Sequence, residues 1–152
     1  MKKITLIFSV IFLVGCSDES ENIDSQSIDK NETFNWRLVT SWPKNYPGLG
    51  MAPERIADLV EEMSDGQMKI TVYGAEEQVP AFGVFDAVSS GSHQMGHSGG
   101  YFWKGKVPAA QFFTSVPFGL TADEINAWVN RGGGLELWRE IYAPFTFYPI
   151  PA

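Results

Sequence analysis

Three short strand-like runs, separated by helix-length stretches, limit this chain to a narrow set of folds. Phe34, Trp36, Leu38 and Thr40 alternate with Asn35, Arg37, Val39 and Ser41, the two-residue period of a strand. Met68 to Tyr73 (MKITVY) is a second run, and Gln94 to His97 a shorter third. Between the first two, Ile56, Leu59, Val60 and Met63 form a helical stripe over Pro53 to Met63. Between the second and third, Ala81 to Ser89 carries Phe82, Phe85 and Val88 on one side. Strand, helix, strand, helix, strand predicts an α/β domain with a largely parallel sheet, because parallel neighbours need a crossover long enough to hold a helix. Ligands of such sheets sit beyond the carboxyl ends of the strands. The loops Trp42 to Gly48 and Gly99 to Trp103 both fall at that edge.

The second of these loops lies in QMGHSGGYFWKGK, Gln94 to Lys106. Its glycine pair, Gly99 and Gly100, suits positive φ and close approach of a ligand. Tyr101, Phe102 and Trp103 follow directly, as either a core plug or a cleft wall. In the first loop Pro43 and Pro47 exclude helix and central strand. Asp65-Gly66 closes the first helix, with Gly66 in the left-handed cap position.

Further on, Pro108 to Phe113 reads as a helical turn or two. Thr121 and Glu124 form a capping box that opens a helix to about Arg131. Gly132-Gly133-Gly134 stops it, Leu135 to Tyr142 is helical, and Phe145 to Ile150 alternates like a strand. A domain seldom ends directly after a strand, so the sequence is expected to be part of a longer chain.

The amino terminus has its own signature. Met1-Lys2-Lys3 and the apolar run Ile4 to Val14 fit a signal peptide, residues 1–15, too short for a comfortable membrane span. Leu13-Val14-Gly15-Cys16 resembles the bacterial lipobox, which makes Cys16 the lipid-attachment residue. Residues 16–33 then form an acidic, polar tether with too little apolar surface to fold. Its reach is roughly 20–25 Å. The expected location is the periplasm, lipid-anchored to a membrane. A net charge of −7 with no basic stripe leaves no footprint for nucleic acid.

Several segments resemble a known family, the DctP-type solute-binding subunits of tripartite ATP-independent periplasmic (TRAP) transporters. The likeness is to the branch associated with 2-oxo acids and related monocarboxylates. The segments are LVTSWPKNYPGLG from Leu38, MSDGQMKITVYGA from Met63, VFDAVSSG from Val84, MGHSGGYFWKGK from Met95, FFTSVPFGL from Phe112 and GGGLELW from Gly132. They span most of residues 34–152, which the resemblance makes the incomplete N-terminal α/β lobe of a two-lobed type II periplasmic-binding-protein fold. It implies capture of a small carboxylate, such as pyruvate or lactate, and delivery to TRAP permease subunits for uptake driven by an ion gradient. It also allows a homodimer, and a sodium or calcium ion bridging the ligand in the full-length protein, with no metal ligand in this segment. The arginine that grips the carboxylate in the family lies beyond this sequence. Tyr101 matches the family tyrosine whose hydroxyl reaches the ligand, and Trp42 and Tyr46 belong to the other cleft loop.

The residues themselves leave alternatives open. A phenol at Tyr101 can donate to a carboxylate while its ring walls a small ligand, or it can be a buried tyrosine with a backbone partner. Phe102 and Trp103 read as core. His93 and His97 read as structural, since no third ligand-type residue lies near them for a metal, and Lys104 and Lys106 read as a solvated turn. No nucleophile elbow or carboxylate pair marks a catalytic site, so the chain reads as a non-enzyme. The competing readings are a lipid-anchored enzyme built on the same lobe, and a truncated product with exposed apolar surface.

Overall fold

A computed structural model describes residues 32–151. The expected signal peptide, the lipid site at Cys16 and nearly all of the tether lie outside the described residues. Three strands form one sheet: β1 (Phe34–Thr40), β2 (Met68–Tyr73) and β3 (Met95–His97). β1 is central in the order β2-β1-β3, and both pairings are parallel. Leu38 lies opposite Val72 on one side and Met95 on the other, and Thr40 opposite His97.

Side chains alternate across a strand, so neighbouring residues of β1 serve opposite faces. Leu38 joins Ala57, Ile70 and Val72 under helix α1 (Met51–Met63), with Val60, Met68 and Met95 at the margin. Val39, fully buried, joins Val84 and Ala87 of helix α2 (Val84–Ser89). Full burial of a valine side chain contributes about 1.5–3 kcal/mol. The two helices therefore cover opposite faces of the sheet, as the strand–helix alternation requires.

Helix α1 docks along a different line from its apolar stripe. Pro53 and Ala57 are buried and Val60 half-buried, whereas Ile56 and Leu59 are exposed and Met63 is 77% exposed. The small residues let the helix come close to the sheet, and the larger ones stand to the side. Its end has Gly66 left-handed as expected, with a second left-handed residue before it. Asp65 and Gly66 both have positive φ, and the amides of Asp65 and Gly66 donate to the carbonyls of Glu62 and Glu61. This is a Schellman closure with Asp65 at the left-handed position next to the cap.

The remainder packs as a second cluster. Helices α3 (Ala122–Arg131) and α4 (Gly134–Tyr142) meet through Phe113, which stacks 5.3 Å from both Trp128 and Trp138. The capping box at Thr121 and Glu124 is present, with both reciprocal hydrogen bonds. Phe85, Val107, Ala110 and Tyr142 form the buried centre, and Trp103 donates from Nε1 to the Tyr142 hydroxyl at 2.7 Å. Trp103 is thus a core residue, as expected.

Phe145 to Ile150 is not a strand. A short 3-10 turn runs through Ala143–Phe145, Thr146 takes a left-handed φ of 59°, and Pro149 and Pro151 carry no amide hydrogen for a ladder. The alternation is still used, by packing alone. Phe145 and Phe147 meet the Phe85 ring at 5.2 and 4.8 Å, while Tyr148 lies under the Arg139 guanidinium.

Apolar side chains remain at the surface along this half, including Phe112, Phe118, Leu120, Leu137 and Ile150. Among the described residues no helix is long and apolar enough to cross a membrane.

Candidate functional site

Parallel pairing of β1 with β3 brings the Trp42 loop and the Gly99 loop side by side. Ser41 extends the ladder one step beyond β1, its amide donating to the His97 carbonyl at 3.1 Å. The Ser41 hydroxyl donates to the Ala81 carbonyl at 2.7 Å and faces the Ser98 hydroxyl at 2.5 Å. One buried serine thereby ties together the chain after β1, the chain before α2 and the chain after β3.

An aromatic cluster caps this edge, and Phe102 is its hub. The Phe102 ring lies 4.5 Å from Tyr101, 5.1 Å from Phe82 and 6.1 Å from Trp42. Trp42 also lies 5.0 Å from the His97 ring. Two of the three residues expected at the site, Trp42 and Tyr101, thus converge on one ring. Tyr46 stands apart: it is exposed, and its ring has no aromatic partner among the described residues. Its backbone does the organising instead, with its carbonyl accepting from the amides of Gly50 and Met51.

Phe102 is half-buried like Trp103, but it packs in this aromatic cluster and not against a buried core cluster, which departs from the expected core role. Phe82, which the helical pattern of Ala81 to Ser89 set on one side with Phe85 and Val88, is instead exposed and a member of this cluster. The residues actually begin with a 3-10 turn, Ala81–Gly83, before α2, and this turns the Phe82 ring away from the helix core. A proline at the start of that turn was the available signal.

The glycine pair works through space rather than φ. Gly99 has φ −97° and neither glycine is left-handed. A Cβ on Gly99 would meet the Tyr101 ring at 2.6 Å, and one on Gly100 would meet the Ala110 carbonyl oxygen at 2.5 Å. The first glycine makes room for the tyrosine, and the second lets the loop press against the segment Pro108–Phe113.

Polar chemistry around the aromatic cluster is sparse, and Lys44 of the first loop pairs with Glu77 at 3.4 Å. The Trp42 amide donates to the Thr40 hydroxyl at 3.2 Å, and Thr40 Oγ1 lies 3.3 Å from His97 Nδ1. Burial pushes the His97 pKa below its ordinary value. His93 is buried deeper on the chain leading into β3, and burial followed by the nearby Arg37 charge lowers its pKa too. Lys106 pairs with Asp86 and sits over Phe85, away from the cluster, while Lys104 is exposed. Among the described residues no group of three metal-ligating side chains forms. A shallow acidic hollow, lined by Asp58, Glu61, Glu62 and Asp65, lies where α1 leads into β2, at the opposite edge of the sheet.

Comparison with known proteins gives one consistent answer. The profile of DctP, the bacterial extracellular solute-binding protein family 7, matches residues 38–148. A monocarboxylate 2-oxoacid-binding periplasmic protein of Nostoc sp. is 46% identical over 117 residues, which are 77% of this chain and 32% of that protein. A TRAP periplasmic solute-binding protein of Pseudoalteromonas atlantica, solved with bound sodium and pyruvate, is 45% identical with a TM-score of 0.77, over 79% of this chain and 36% of that one. Another, of Colwellia psychrerythraea with bound calcium and pyruvate, is 41% identical with a TM-score of 0.77, over 79% and 37%. The chain thus spans about a third of the length of the relatives it matches.

Proposed function

Because this chain belongs to the bacterial extracellular solute-binding proteins of family 7, we propose that it captures a small 2-oxo acid, with pyruvate the reference ligand, as the receptor of a TRAP uptake system. The observation that carries the reading is the aromatic edge around Phe102, where Trp42 and Tyr101 meet at the carboxyl ends of β1 and β3. A small planar carboxylate needs an apolar wall and a few placed donors. The Tyr101 phenol, 43% exposed beside Phe102, supplies both a ring face and a hydroxyl. Trp42 supplies a second wall, and Tyr46 extends the same loop outward.

Binding in this reading favours a closed state and so presents the permease with a distinct shape. Two relatives were solved with pyruvate together with sodium or calcium, which supports an ion accompanying the ligand. Periplasmic placement, anchored through Cys16 to a membrane, completes the proposal: a tethered receptor, not an enzyme, handing its cargo to membrane subunits.

The test is titration of the protein with pyruvate, followed by tryptophan fluorescence and by calorimetry, with and without sodium or calcium. A saturable signal for pyruvate and none for a neutral sugar supports the receptor. Turnover of pyruvate to a new product would replace it with the enzyme reading.

A further inference from the structure

We infer that His97 is a ligand-binding residue of this cleft, donating a hydrogen bond from its neutral Nε2–H to an oxygen of the bound carboxylate; this rests on the receptor reading above.

The argument starts at Thr40, which is 1% exposed. Its hydroxyl oxygen accepts from the Trp42 amide at 3.2 Å, so the hydroxyl hydrogen needs an acceptor of its own. Among the described residues the partner in reach is His97 Nδ1, at 3.3 Å. An Nδ1 that accepts leaves the ring proton on Nε2, because a neutral imidazole carries one donor and one acceptor. The Trp42 amide, the Thr40 hydroxyl and the imidazole thus form a chain that fixes the tautomer.

The other end of the ring is unused. No hydrogen bond to His97 Nε2 forms among the described residues, and the residue is half-buried, whereas His93 is buried with its Nε2 unpartnered. The ring stands at the carboxyl end of β3, half-buried and 5.0 Å from Trp42. A neutral donor in a partly apolar wall suits a carboxylate or keto oxygen, and burial disfavours the imidazolium that would upset the Thr40 contact.

Two substitutions separate this role from packing. Asparagine places its amide near Nδ1 and keeps a partner for Thr40, whereas glutamine places its amide nitrogen near Nε2. With pyruvate as the probe, His97→Asn should weaken binding about ten-fold, and His97→Gln should stay much closer to the parent protein. Nitrogen-15 NMR of the histidine ring in the unmodified protein should show the Nε2–H tautomer, with Nε2 the nitrogen that shifts on adding pyruvate. Parent-like binding by His97→Asn, or an Nδ1–H tautomer, would overturn the assignment. If the unmodified protein binds no pyruvate, the 2-oxo acid reading fails, and the same NMR titration with lactate tests the His97 assignment: a shift of Nε2 supports it, and an unshifted Nε2 overturns it.

Discussion

The ring of Tyr101 lies across the α-carbon of Gly99, so closely that a Cβ there would meet ring carbons at 2.6 and 2.7 Å and the hydroxyl at 3.1 Å. The backbone of Gly99 is open to any residue, at φ −97°. Only the tyrosine ring forbids one. Gly99→Ala should therefore displace an exposed ring and leave the fold standing. The expected result is a pyruvate affinity lowered about ten-fold or more with a melting temperature within a few degrees of the parent. Calorimetry and thermal unfolding of the same sample check both halves.

Tyr101→Phe removes the hydroxyl and keeps the ring. A hydrogen bond to a charged carboxylate contributes about 1.5–3 kcal/mol, so affinity should fall roughly ten-fold or more, no further than in Gly99→Ala. A larger loss in the milder variant would mean that the ring position matters less than the phenol.

Gly100→Ala should act on stability instead. Its Cβ would meet backbone, the Ala110 carbonyl oxygen at 2.5 Å and carbon at 3.1 Å, and backbone cannot swing aside as a side chain can. Overpacking of this kind costs about 1–3 kcal/mol. Urea unfolding should show an earlier midpoint, in contrast to Gly99→Ala next door.

His93 sets an acid limit on the fold. Its pKa is lowered below 6.5, first by burial and then by Arg37. A group whose folded pKa is depressed contributes stability that is complete above the unfolded value and is lost as pH falls through the folded one. Stability should thus hold above about pH 6.5 and decline below it. His93→Gln should flatten part of that decline in unfolding curves taken from pH 8 to 5 (assay conditions), with His97 supplying a remainder of the same sign.

At Thr121 the dependence lies lower. Glu124 is exposed, and hydrogen bonds from the Thr121 amide and hydroxyl hold its pKa below 4.5. The cap therefore strengthens α3 above that pH and loses this contribution in stronger acid. Thr121→Ala should lower the melting temperature more at pH 7 than at pH 3 (assay conditions), measured by circular dichroism.

Much of the fold was legible because its signals are local. The two-residue period of Phe34 to Thr40, the capping box at Thr121 and the glycines before Leu135 each act within a few residues. The parallel sheet followed from crossover length alone. What sequence missed depends on partners far along the chain. Whether Phe145 to Ile150 becomes a strand depends on a neighbouring ladder, and the Phe85 ring and the Arg139 guanidinium took its alternating side chains instead. The side of α1 that docks depends on how closely the sheet approaches, which favoured Ala57 over Leu59. At the site, Trp42 and Tyr101 could be placed from loop position, but Phe82, Ser41 and the Thr40–His97 contact join residues about twenty to sixty apart in sequence, and only folding shows them together.

Consecutive residues of the central strand belong to different cores, Leu38 under α1 and Val39 under α2. A chain-length change inside Phe34 to Ser41 would exchange the two sets of side chains between faces and also break the serine that joins three segments. The neighbouring stretch Asn45 to Gly48 is exposed and already turns through two left-handed residues, so added residues there can bulge into solvent. Insertions and deletions should therefore accumulate after Lys44 and be absent from the seven residues of β1. Scanning single-residue insertions along this stretch would draw that line as a sharp drop in folded protein between Lys44 and Ser41.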